Sequence, residues 1–211
     1  MLETRKISIT EALNELKLYD SKIAKAIKSN QYVGAAKKSS NLIGVQTKEI
    51  FNKNASAGYQ SVIDLISNRN KIKSLIVKSN ATTEVTINGK VMTVAEAIER
   101  KNSIQFEIDL LNALKSQYST ASNTVLTENR KVDTQIDKLL ETFTGKDTDK
   151  KITKEDQSAI TDPYREKNEF ELVDPLNIYE KIQTLEADID GFNSSVNTVL
   201  VLSNATTFIE I

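Results

Sequence analysis

The chain has 211 residues, 39% hydrophobic and 27% charged, with neither cysteine nor histidine. Disulfides, Cys/His zinc sites, cysteine nucleophiles and histidine general bases are therefore excluded, whereas Ser-Lys dyads, carboxylate pairs and all-oxygen metal sites stay open to this composition. The net charge of −1 hides an asymmetry: residues 1–80 hold 14 Lys/Arg against 6 Asp/Glu, and residues 81–211 hold 14 against 23. A basic half raises the possibility of a polyanion partner. The first 80 residues contain only two arginines, Arg5 and Arg69, and so no cluster of Arg with interleaved aromatics of the kind that grips single-stranded nucleic acid. Nucleic acid is accordingly the disfavoured partner.

In chain order, a first helix is expected over about 8–29. Ser8 and Glu11 have capping-box spacing, and Ile9, Leu13, Leu16, Ile23 and Ile27 follow a helical rhythm. Residues 30–46 contain Gly34, Gly44 and a polar "KKSSN" and read as a connector. A second helix is expected over 47–78, with Phe51, Val62, Leu65, Ile72 and Ile76 apolar. Gly58 either weakens that helix by about 1 kcal/mol relative to Ala or admits a close neighbour.

A β-hairpin follows over about 83–93. Val85 and Ile87 alternate with polar residues, and Asn88-Gly89 suits the two positive φ angles of a type I′ turn. Thr93 and Glu96 then repeat the capping-box spacing, so the return strand leads straight into a third helix over 94–143. One heptad series, Ala97, Ile104, Leu111, Tyr118, Val125, Val132 and Leu139, is apolar throughout. Its companion alternates apolar residues with Lys101, Lys115, Ser122 and Asn129. This is coiled-coil periodicity, in which a polar residue such as Asn129 can set register; an unbroken helix here would run for roughly 75 Å. The weak helix formers of "STASNT" at 119–124 mark the place for a break.

Residues 144–173 read as an irregular loop with room for one short helix. Asp147, Asp149 and Asp156 loosely resemble a calcium loop, but Gly145 and Lys150 stand where Asp and Gly are needed, so these three are weak metal candidates and no cofactor is expected. Asp174-Pro175 reads as the cap and first turn of a last helix over 175–203, whose seam is Ile178, Ile182, Leu185, Ile189, Phe192, Val196 and Val199. The tail "NATTFIEI" is β-branched and suits an extended end, available for pairing with the hairpin's edges. No apolar signal core and no run long enough to span a membrane occurs, and a cytoplasmic location follows as the expectation.

The fold class expected from these elements is mainly α, in one elongated domain of 1–211: a long antiparallel coiled-coil bundle with one small hairpin between helices two and three. The residues expected to carry contacts with partners or a second copy are Asn88 and Gly89 at the turn, Ile104, Leu111, Tyr118, Val125 and Asn129 on the third helix, and Ile182, Leu185, Ile189 and Phe192 on the last. No catalytic residue is assigned. The expected function is a non-enzymatic assembly or interaction protein that forms homo-oligomers, with a nucleic-acid or polyanion binder using residues 1–80 as the alternative.

Three stretches, "KISITEALNELKLYDSKIAKAI", "YQSVIDLISNRNKIKSLIVKSNATTEVTINGKVMTVAEAIERKNSI" and "LSNATTFIEI", resemble in their order the septicolysin-like group of helical proteins from bacteria and their phages. In that group a long helix follows a Gly-containing turn and the chain closes on an Asn-x-Thr-Thr end, matched here by Asn204, Thr206 and Thr207; Ala205 stands where the group has Trp. The resemblance implies a phage-encoded virion component or an inhibitor of a host protein, located in the host cytoplasm or the virion. The group's name implies cytolysis, which makes a membrane-active protein a third reading. It brings no catalytic residues.

Overall fold

The computed structural model describes residues 5–144 and 153–211. Among these the protein is mainly helical, with five helices and small antiparallel strand pairs. The order is β1 (Lys6–Ser8), α1 (Ile9–Ser29), β2 (Leu42–Ile43), β3 (Gln46–Thr47), α2 (Lys48–Thr82), β4 (Glu84–Ile87), β5 (Lys90–Thr93), α3 (Val94–Thr144), α4 (Lys154–Asn168), α5 (Ile178–Thr206) and β6 (Phe208–Glu210). The chain groups into two compact units, Met1–Asn102 with Gly191–Ile211, and Ser103–Asp190.

The first unit is built on two strand-to-helix junctions of the same design. At the N-terminal one, Ser8 ends β1 and caps α1. Its N–H and hydroxyl donate to Glu11 Oε2 at 2.7 and 2.8 Å, and its Oγ accepts from Glu11 N at 3.2 Å. At the other, Thr93 ends β5 and makes the same three bonds with Glu96, at 2.6, 2.9 and 3.2 Å. Ile9 and Val94, one residue on, and Ala12 and Ala97, four on, are all buried.

The strands that pair with these junctions are also copies. "SNATT" at 79–83 ends α2 and leads into β4; "SNATT" at 203–207 ends α5 and leads into β6. Thr83 N donates to Ser79 O and Thr207 N to Ser203 O, both at 2.9 Å, while Val94 N donates to Thr83 O and Ile9 N to Thr207 O, again at 2.9 Å. The registers coincide: Val85 faces Met92 where Ile209 faces Ile7. One copy is closed by the Asn88-Gly89 turn. In the other, Arg5 and Ile211 exchange two backbone hydrogen bonds of 3.0 Å at the corresponding place. The tail therefore pairs with β1, a strand the helical pattern at Ser8 conceals, and not with the hairpin's edges.

The core of the N-terminal junction joins Ile7, Ile9, Ala12, Leu16, Ile72, Ile76 and Ile209. α1 lies along α2, tied by Arg69 Nε to Asp20 Oδ1 at 2.8 Å. Gly58 serves close approach: a Cβ there would stand 2.7 Å from Cγ of Asn30, the residue that caps the end of α1. The connector between α1 and α2 contains a second small hairpin, β2–β3, whose two-residue strands are too short for an alternating pattern to reveal.

α3 runs unbroken through "STASNT"; Thr124 donates to Thr120 O at 2.9 Å, so the hydroxyl is satisfied inside the helix. The expected irregular loop contains α4, fifteen residues capped by Thr153 and with Pro163 inside it. None of its residues is buried, which is why its sequence lacks an apolar stripe. The last helix begins at Ile178, three residues later than Asp174-Pro175 suggests. The Asp174 carboxylate accepts from Leu176 N and Ile178 N, and Asn177 is left-handed at φ 54°, so a separate turn precedes the helix.

Asn88 rests on α5 at Gly191, where an added Cβ would stand 2.4 Å from Asn88 Cγ. Gly191→Ala is expected to lose about 1–3 kcal/mol of stability by overpacking, although Ala is the better helix former. Adding Asn88→Gly should recover most of the loss, because Gly tolerates the turn's positive φ. Urea denaturation of the double-mutant cycle checks this: additive losses would show that the two residues are not coupled.

Candidate interaction surfaces

The turn residues take the conformations their types favour: φ is 49° at Asn88 and 72° at Gly89. Expected to reach a partner, the Asn88 side chain instead lies against its own chain at Gly191. Gly89 has open space around it.

The seam residues expected to meet a second copy are largely spent within the chain. Ile104 and Leu111 on α3 and Ile182, Ile189 and Phe192 on α5 are buried, and Tyr118, Val125 and Leu185 are half-buried. The reason is that α3 and α5 run antiparallel alongside one another. In the second unit Lys115 pairs with Glu186, and the rings of Tyr118 and Tyr179 lie 5.9 Å apart. In the first unit Lys101 Nζ donates to Asn197 Oδ1 at 2.8 Å, and the Arg100 guanidinium lies 4.5 Å from the Phe192 ring centroid. The polar interruptions Lys101 and Lys115 thus have polar partners on α5.

Asn129 does not set register between facing helices. Its amide binds the Phe170 backbone twice, donating to the carbonyl at 2.9 Å and accepting from the N–H at 2.7 Å. With the Arg165–Asp133 ion pair at 2.6 Å, this fastens α4 and the segment after it to α3.

Of the metal candidates, Asp147 and Asp149 lie outside the described residues. Asp156 sits in the first turn of α4, where Thr153 Oγ1 donates to its carboxylate at 2.6 Å. Among the described residues no three or more acidic side chains converge as a metal site would require, and no helix is long and apolar enough to cross a membrane.

Some large apolar side chains that belong to neither the α3 nor the α5 seam face outward. Tyr59 and Ile63 on α2, and Phe106 and Leu110 on α3, are exposed pairs four residues apart, hence neighbours on one helix face. Val201 and Leu202 on α5 are exposed as well. The signal for Phe106 was present in the sequence, since it is a large apolar residue belonging to neither heptad series. The two units also differ in charge. The first holds 17 Lys/Arg against 10 Asp/Glu and the second 11 against 19, so they carry +7 and −8.

No family model, curated protein or solved structure matches the chain.

Among the described residues, two carboxylates have displaced proton affinities. Glu11 is held below its ordinary value by the backbone N–H of Ser8 and then by the Ser8 hydroxyl; Glu96 is held down in the same way by Thr93. A carboxylate depressed in the folded state adds stability that is present above its unfolded value and lost as pH falls through the folded one. Replacing both with Gln keeps the capping geometry and removes the titration. Urea midpoints should fall for the wild type as pH drops below the ordinary value of 4.5 and should fall less for the double variant. Parallel curves would show that neither cap contributes.

Proposed function

We propose that the chain is a non-enzymatic interaction protein, which presents helical surfaces to protein partners, one of them a second copy of itself. The observation that carries this reading is the exposed apolar pairs on α2 and α3. Single exposed apolar side chains are ordinary, whereas grouped ones mark binding surfaces. A monomer that kept them in water would forgo roughly 25 cal/mol for each Å² of apolar surface that association could bury. The resemblance of the segment order to septicolysin-like proteins accords with this role, and a virion component or an inhibitor of a host protein are forms it would take in a phage.

The charge of +7 on the first unit favours a second reading, a polyanion binder. The two separate by salt. Phosphate contacts weaken steeply as salt rises, whereas apolar contacts do not. Light scattering coupled to size exclusion should give a mass above the 23.5 kDa of one chain, and duplex DNA of mixed sequence should show no anisotropy change at low salt. DNA binding that disappears with added salt, from a protein of monomer mass, would reverse the preference.

A further inference from the structure

The two junction copies in the first unit differ at one place in a way that points to a partner. Counted back equally from "SNATT", Phe192 on α5 corresponds to Asn68 on α2. Phe192 is fully buried, with Arg100 over its ring. At Asn68 the matching space is open, a cavity of about 710 Å³ bounded by α1, α2 and the end of β6. Leu18, Tyr19 and Leu75 give it apolar walls. Three cations, Arg5, Lys22 and Lys71, stand at its border with two acids, Glu15 and Glu210. Arg5 is engaged by Glu15, whereas neither lysine has a carboxylate within ion-pair distance among the described residues. An aromatic group accompanied by a carboxylate fits these walls and these lysines.

The second unit offers that combination. Phe106 is the most exposed aromatic among the described residues, at 76%. Leu110, four residues on, is also exposed. Asp109, three residues on, lies on the same helix face, where among the described residues its carboxylate accepts from Gln105 of its own helix. The units carry +7 and −8, so docking the second unit of one copy on the first unit of another joins opposite charges.

We propose that Phe106 of one copy enters the Asn68 cavity of the next, with Asp109 facing Lys22 and Lys71. The contact is heterologous, since different surfaces of the two copies meet, and it propagates into a ring or an open chain. This rests on the reading of the protein as self-associating and names the surfaces responsible.

Sedimentation velocity across a concentration series tests it. Asn68→Phe fills the cavity as Phe192 fills its counterpart, and Phe106→Ser removes the insert; each should weaken self-association about tenfold or more, as loss of an interface anchor does. An equimolar mixture of the two variants should form dimers and nothing larger, because it retains one functional cavity and one functional insert. Circular dichroism checks that both are folded. Should Asn68→Phe not fold, the charge exchange takes its place: Lys22→Glu with Lys71→Glu should weaken assembly, and adding Asp109→Lys should restore it. A mixture that stays monomeric, or a folded variant with the wild-type mass distribution, overturns this contact while leaving self-association in place. A wild type that is monomeric at every concentration overturns both.

Discussion

A helix that begins directly after a strand leaves its first N–H groups without partners inside the helix. At Ser8, Thr47 and Thr93 the last strand residue meets this need, its hydroxyl accepting a backbone N–H three residues on. At two of the three, a glutamate answers back to the strand's own N–H and completes the box. The consequence reaches well beyond the cap. Because the turn from strand to helix takes no intervening loop, the next residue, Ile9 or Val94, goes directly into the core, and an alanine one turn on lets the neighbouring chain come close. The entry angles of α1 and α3 follow from these bonds.

Using that junction twice gives the first unit two similar cores with different finishes. One has a covalent turn, a buried Phe192 and a glycine against which Asn88 rests. The other has Arg5 and Ile211 joined by two backbone hydrogen bonds, Asn68 in place of the phenylalanine, and an open cavity. A packed interior loses dispersion contacts wherever a space is left unfilled. The open copy thus gives up stability that an incoming apolar group can return.

The polar positions within the α3 seam show how local pattern and actual partner can diverge. Lys101, Lys115 and Asn129 interrupt one heptad series equally, yet the two lysines reach side chains on α5 and Asn129 clamps the backbone at Phe170. Heptad position restricts which face a residue occupies and leaves its partner undetermined. The repeated "SNATT" and the two boxes ending in Glu-Ala could be read directly as text, but their meaning as one doubled junction depends on strand register between residues about two hundred positions apart, which periodicity does not encode.

By itself the sequence determined the elements governed by neighbours: α1 from its capping box, the hairpin from Asn88-Gly89, and α3 from Val94 onward, each within a residue or two. Hydrogen bonding and helical or strand period act over a few residues, so these features are written locally. Tertiary structure alone decided that β6 pairs with β1, that Asn129 clamps the backbone at Phe170, and that Asn88 lies on Gly191. Each of these depends on which distant segment arrives beside the residue, and burial is a property of that arrival.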